Sequence, residues 1–152
     1  MSALDERDAE LMEIAFSESE RCFPVASAFN VGAVLTDSNR KILAVGFSRE
    51  TGAHEHAEEV AFAKAEARGI DVYGAHLYVS LEPCGIRKSK TKSCSALVLY
   101  HGVARVIYAM QEPPLFVSEQ SGLELLRSAG IQIIHIPGFE DRFCKLHPHL
   151  FA

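Results

Sequence analysis

Apolar positions recur along residues 3–22 at Leu4, Leu11, Ile14 and Ala15 with acidic side chains between them, the spacing of an amphipathic helix. Pro24 cannot continue it. Asn30-Val31-Gly32-Ala33-Val34-Leu35 is a short, almost wholly apolar run, and the turn Asp37-Ser38-Asn39 leads to a second run at 42–47, so the two predict a β-hairpin. From His56 to Arg68 apolar residues return at helical spacing (Ala57, Val60, Ala61), and Gly69 supplies the left-handed residue that closes a helix. Residues 76–80 read as a third strand. Ser93 can cap a helix that starts near Cys94 and stops before Gly102, and residues 105–110 make a fourth strand. Residues 118–129 form a further helix ended by Gly130, followed by a fifth strand at 131–136. The tail from residue 138 on shows no clear periodicity and is expected to pack against a neighbouring element or subunit.

After the first helix the order is therefore β-β-α-β-α-β-α-β. A hairpin joins antiparallel neighbours, whereas a helical crossover between the fourth and fifth strands suits a parallel pair, so the class is α/β with a five-stranded mixed sheet and strands four and five parallel. No linker, repeat or low-complexity segment divides the 152 residues, and a single domain over residues 1–152 is expected. No run approaches the roughly 20 apolar residues of a membrane span, and the acidic, polar start lacks the basic and apolar parts of a signal peptide. Both point to a cytoplasmic protein without membrane contact. A net charge of −5 gives no general basic field for nucleic acid. In a reducing compartment the four cysteines are thiols, with Cys22 and Cys144 expected to be buried.

Cys84 and Cys94 have a different use, because His56-Ala57-Glu58 and Glu82-Pro83-Cys84 bring one imidazole, two thiols and a carboxylate into the same pattern. Zn²⁺ takes imidazole and thiolate in a tetrahedron, and a catalytic zinc keeps a position open beside three protein ligands. His56, Cys84 and Cys94 supply three, which leaves Glu58 free to move protons. Two thiolates cancel the formal charge of the dication, so a bound water is acidified less than at an all-histidine zinc and a neighbouring base is needed. Positions i and i+2 lie about 200° apart around a helix, so His56 and Glu58 can converge only at a helix entrance. A structural zinc would need a fourth protein ligand; His54 could serve, but two residues before His56 it fits a solvated or capping role better. His76, His101, His135, His147 and His149 have no comparable spacing and read as ordinary surface or core histidines. Nine residues separate Cys84 from Cys94, and Arg87-Lys88-Ser89-Lys90-Thr91-Lys92 within them is the one concentration of positive charge. Such a run can be a solvated face, or its cations and hydroxyls can hold a phosphate, Arg87 first.

His-x-Glu followed by Pro-Cys-x-x-Cys is a known signature of zinc nucleobase deaminases, here with a longer spacer between the cysteines. The chain resembles the cytidine deaminase superfamily, and within it the pyrimidine deaminases of riboflavin biosynthesis, of fungal type and of the deaminase domain of the bacterial bifunctional enzyme. The similarity runs from Pro24 to Glu140 through Ala28-Phe29-Asn30-Val31-Gly32-Ala33-Val34, Gly46-Phe47-Ser48-Arg49-Glu50, the zinc motifs, Met110-Gln111-Glu112-Pro113 and Ile136-Pro137-Gly138-Phe139-Glu140. It implies a three-layer α-β-α cytidine deaminase-like fold and hydrolytic removal of an exocyclic amine from a diaminopyrimidinone carrying a ribosyl or ribityl phosphate. Glu58 is then the catalytic residue and zinc the cofactor, held by His56, Cys84 and Cys94. Asn30, Arg49, Arg87, Ser89, Lys90, Thr91 and Glu112 are the candidate substrate-binding residues. A homo-oligomer, a dimer, is expected, with a small pyrimidine nucleotide as the other partner. Bacterial members carry histidine early in the spacer and Asp-Pro-Asn after the fourth strand, where this chain has Gly85-Ile86-Arg87 and Glu112-Pro113-Pro114. Two alternatives follow: a deaminase of another nucleoside, nucleotide or tRNA base, or a non-catalytic zinc-binding subunit. An uncoordinated Glu58 argues against the second.

Overall fold

The computed structural model describes residues 4–25, 28–83, 94–111, 122–148 and 150. Its elements are α1 (Glu6–Ser19), β1 (Gly32–Thr36), β2 (Ile42–Phe47), α2 (Ala57–Ala67), β3 (His76–Leu81), α3 (Cys94–His101), β4 (Arg105–Met110), α4 (Gly122–Ser128), β5 (Gln132–His135) and α5 (Glu140–Leu146). The five strands form one sheet in the order β2-β1-β3-β4-β5. β1 pairs antiparallel with β2 and with β3, while β3 pairs parallel with β4 and β4 parallel with β5, as the helical crossovers require.

The sheet is covered on both faces. Ala33, Leu35, Leu77, Val79, Val106 and Tyr108 point to one core with Ala57, Ala61 and Phe62 of α2, Val98 of α3 and Leu126 of α4. Val34, Tyr78 and Ile107, one residue out of step, point to the other with Leu11, Ala15 and Phe16 of α1 and Phe143 of α5. This makes the three layers. Double coverage explains why the inner strands β1, β3 and β4 read as continuous apolar runs, whereas the edge strands β2 and β5 are partly exposed.

Two glycines set how closely the helices approach. A Cβ on Gly32 would stand 1.7 Å from the Ala15 carbonyl oxygen, so α1 lies directly on β1. A Cβ on Gly46 would meet the Ala57 carbonyl oxygen at 2.7 Å and the Ala61 nitrogen at 2.8 Å, so the first turn of α2 rests on the β2 backbone.

Several bounds differ from the sequence reading for local reasons. α1 is shorter at both ends than 3–22: Asp5 caps its start, where the Asp8 N–H donates to Asp5 Oδ1 and the Asp5 N–H to Asp8 Oδ2, each at 3.0 Å, and at its far end the Arg21 and Cys22 N–H groups turn to the Glu18 and Ser19 carbonyls. β1 starts two residues late because the Asn30 and Val31 N–H groups go to side chains, His147 Nε2 and Ser48 Oγ, instead of a strand ladder. The aperiodic tail contains α5, whose single fully buried side chain, Phe143, is too little to make a period. Cys22 is buried as expected, and burial pushes its thiol up; Cys144 is only half-buried. Residues 118–121 of the expected fourth helix lie outside the described residues.

Candidate functional site

β2 leads into the site through a tight turn. Arg49 follows it with φ of +61°, a left-handed conformation that costs a non-glycine residue about 1 kcal/mol or more and survives only where the surroundings hold it. Here the Arg49 N–H donates to the Glu55 carbonyl at 2.8 Å, closing the loop that delivers His56. Glu50 anchors the same loop through an ion pair with Lys64 of α2 at 2.6 Å, and Lys64 also donates to the Val45 carbonyl.

His56 is the extended residue before α2, at φ −90° and ψ 159°. Its N–H donates to the Glu59 carboxylate at 2.8 Å, which satisfies one of the donors a helix start leaves open and fixes the angle at which the chain enters the helix. Glu58, in the first turn, is 3% exposed. The entrance geometry that positions i and i+2 require is therefore present.

Cys94 arrives from the other side. At its far end α3 meets the starts of β3 and β4, with the Gly74 N–H on the Gly102 carbonyl at 2.8 Å and the Ala104 N–H on the Ala75 carbonyl at 2.9 Å. Eight residues of helix reach about 12 Å back along the sheet, so α3 begins at the end where β3 runs out into Glu82 and Pro83. Cys94, fully buried, is its first residue. The Glu82 N–H donates to the Met110 carbonyl at 2.9 Å, which keeps the ends of β3 and β4 together.

Here the side chains converge. His56 Nδ1 lies 3.1 Å from Cys94 Sγ, and the ligand atoms of His56, Glu58 and Cys94 all lie within 4.8 Å of one another. Nitrogen and sulfur ligands of one tetrahedral zinc stand about 3.5 Å apart, so the pair fits zinc in both chemistry and spacing. Two helix N-termini face the cluster and favour negative thiolate and carboxylate. Among the described residues no other group of this kind forms, and the exposed His54 is not part of this one.

Asn30 and Arg49 meet each other. Arg49 Nη2 donates to Asn30 Oδ1 and to the Phe23 carbonyl at 3.0 Å, while Nη1 reaches the Phe29 carbonyl at 3.4 Å. Burial lowers the Arg49 guanidinium from its ordinary value, though arginine stays charged. Asn30 is 2% exposed. Cys84, Arg87, Ser89, Lys90, Thr91 and Glu112 lie outside the described residues. Sequence reasoning missed two contacts: Glu59 on the His56 N–H, legible as an N3 glutamate after a helix start, and His147 on the Asn30 N–H, which no local pattern signals.

An open α/β sheet with a His/Glu/Cys cluster gathered at two helix entrances defines the class of zinc-type deaminase folds. Residues 5–110 match the model of the cytidine and deoxycytidylate deaminase zinc-binding region, and the chain belongs to that family. Within it, the relatives narrow the likeness. The chain is 39% identical over 134 residues to a diaminohydroxyphosphoribosylamino-pyrimidine deaminase of Schizosaccharomyces pombe, covering 87% of this chain and 33% of that protein. It superposes on the Thermotoga maritima diaminohydroxyphosphoribosylaminopyrimidine deaminase/5-amino-6-(5-phosphoribosylamino)uracil reductase with a TM-score of 0.76 at 29% identity, over 92% of this chain and 39% of that one. Against the Aspergillus oryzae Rib2 deaminase in complex with DARIPP the TM-score is 0.81 at 21% identity, over 93% and 90% of the two chains, a likeness of fold. The chain spans about a third of the length of the curated relatives it matches.

Proposed function

We propose that this protein is a zinc-dependent aminohydrolase that removes an exocyclic amine from a diaminopyrimidinone carrying a ribosyl or ribityl phosphate, a step of riboflavin biosynthesis. The observation that carries the reading is the convergence of His56, Glu58 and Cys94 within 4.8 Å in a chain 39% identical to a pyrimidine deaminase of that kind. His56 through Nδ1 and Cys94 through Sγ, with Cys84, would hold the metal. Bound there, zinc would supply Lewis acidity to the attacking water, making it a better nucleophile toward the amine-bearing carbon.

The rest is the work of the chain. Glu58, buried and two residues from His56, accepts a proton from the attacking water at a carboxylate oxygen and passes it to the ring nitrogen, then takes the second proton from the added hydroxyl and passes it to the amine, which leaves as ammonia. Its burial keeps bulk water from competing for those protons. Asn30 and Arg49 fix the substrate-side wall, and Arg87, Ser89, Lys90 and Thr91 take the phosphate, since they belong to the one concentration of positive charge, which lies between Cys84 and Cys94 in sequence. Glu112, two positions after Met110 in sequence, completes the substrate set.

A cytoplasmic setting, where thiols stay reduced, suits two thiolate ligands, and no helix among the described residues is long and apolar enough to cross a membrane. A homodimer is supported by the exposed Tyr100 of α3 and Leu125 of α4, apolar side chains on two helices that pack side by side. The test is ammonia release by the purified protein across phosphorylated and unphosphorylated diaminopyrimidinones, cytidine nucleotides and purine nucleotides. Release confined to the phosphorylated diaminopyrimidinone is the expected result. Turnover of deoxycytidylate alone would move the protein to another branch of the family, and no turnover with zinc bound would favour a non-catalytic subunit.

A further inference from the structure

The segment after β5 docks on α1 and on Phe29 by way of aromatic contacts. Phe139 stacks on Phe16 of α1 with ring centres 5.0 Å apart, and Phe143 packs on Phe29 at 5.5 Å. Arg142 lies over the Phe16 ring and forms an ion pair with Glu13. The outcome is that His147, just past α5, is fully buried, edge-on to Phe29 at 5.3 Å.

Both nitrogens of His147 are engaged. Nδ1 stands 2.9 Å from the Phe143 carbonyl oxygen and Nε2 2.6 Å from the Asn30 backbone nitrogen, a residue 117 positions away in sequence. A carbonyl can only accept and a backbone N–H can only donate, so a single arrangement satisfies both: the ring is neutral, Nδ1 carries the proton, and the Nε2 lone pair receives the Asn30 N–H. From Asn30 the connection continues. The Asn30 side chain accepts from Arg49, the Arg49 N–H donates to the Glu55 carbonyl, and Glu55 is joined to His56. The tie is made from outside residues 5–110, the part of the chain that matches the family.

We propose that His147 is a positioning residue that holds Asn30, and through it Arg49, in the orientation the substrate meets. This rests on the reading of Asn30 and Arg49 as substrate-binding residues. Losing the acceptor strands a buried N–H, and the backbone at Asn30 must then move to find another partner. Phe29 and Phe143 would still be packed by a phenyl ring at 147, so His147→Phe separates the hydrogen bond from the packing. His147→Gln is the conservative counterpart, because a glutamine carbonyl oxygen can stand where Nε2 does.

The experiment uses the full-length, zinc-loaded protein and reads amide hydrogen exchange at Asn30, kcat and KM for deamination, zinc content and thermal unfolding. In His147→Phe, exchange at Asn30 should accelerate about tenfold or more, the scale of one buried donor left unmade, and KM should rise by about the same factor while kcat and zinc content hold. His147→Gln should return both exchange and KM toward wild type. Unchanged exchange and KM in a folded His147→Phe would overturn the proposal, as would a raised KM accompanied by loss of kcat, zinc content and stability together. If His147→Phe does not fold, His147→Gln decides alone: Asn30 exchange and KM that hold together or change together in a stable protein support the role, and a change in one without the other refutes it. An inactive wild type would sink the deaminase reading and the positioning role with it, whereas an active wild type with an indifferent His147→Phe sinks the positioning role only.

Discussion

At the scale of the residue, the account turns on which atoms move protons and which hold the metal. Glu58→Gln keeps the size and the hydrogen-bonding capacity of the side chain but removes the base, so zinc content and fold should survive while turnover falls by about 10²-fold or more. Near-normal activity in that variant would show that another group moves the protons. Cys94→Ser replaces a soft ligand 3.1 Å from His56 Nδ1 with a hydroxyl that binds zinc poorly. It should lower zinc content well below one per chain by elemental analysis, against an expected one in the wild type. Arg87 is tested by asking what it recognises. If it grips a phosphate, Arg87→Ala should weaken productive binding of a phosphorylated substrate by about 1–3 kcal/mol and leave the unphosphorylated analogue nearly unaffected, as judged from kcat/KM on each. Equal effects on the two would mean that the charge only solvates its loop.

At the scale of the element, the site depends on how α2 begins. Gly46 lets its first turn rest on β2, and Glu59 ties its carboxylate to the His56 N–H, so the two define the height and the angle at which His56 and Glu58 enter. Glu59→Ala should cost about 1 kcal/mol in chemical denaturation and speed amide exchange in the first turn of α2, with Glu59→Gln close to wild type because a glutamine can still accept. Much of this scale was legible in the sequence. The strands 42–47 and 105–110 have the bounds expected because turn residues flank an uninterrupted apolar run. The His-x-Glu motif pointed to His56 and Glu58 together, and helix geometry required that they stand at a helix entrance, as they do. What was not legible depended on distant partners or on short elements. The start of β1 is set by His147 and Ser48, neither of them its neighbour in sequence, and α5 is seven residues long with one deeply buried side chain.

At the scale of the whole molecule, the end of the sheet away from Cys94 carries a polar network of its own. Asp8, buried on α1, accepts from the Tyr78 hydroxyl and faces Arg105 at 3.4 Å and Arg40 at 3.6 Å, tying the helix to the starts of β3 and β4. Burial, helped by Asp8, pushes the Tyr78 phenol well up, so it stays a donor at any ordinary pH. Asp5, held by Arg40, stays ionised well below the usual carboxylate range. The acid sensitivity of the fold should therefore begin with histidines. Burial lowers His76, which also lies near Arg105, and burial lowers His101, stacked on Phe62 at 4.2 Å. A histidine whose folded pKa is depressed binds its proton more readily when unfolded, so its contribution is complete above the free value of about 6.5 and is lost as pH falls below it. Thermal unfolding should fall steadily as pH drops through that range, and His101→Phe, which keeps the stack, should flatten the slope. A slope identical to wild type would assign the acid sensitivity elsewhere.

The most direct test of the central claim is the fate of the oxygen and the nitrogen when the zinc-loaded protein acts on the phosphorylated diaminopyrimidinone in water enriched in heavy oxygen. The account predicts that each product molecule gains one heavy oxygen at the carbon that lost its amine, with one ammonia released per product, and that both signals disappear together in Glu58→Gln. Product without solvent oxygen, or ammonia release that Glu58→Gln leaves intact, would contradict it.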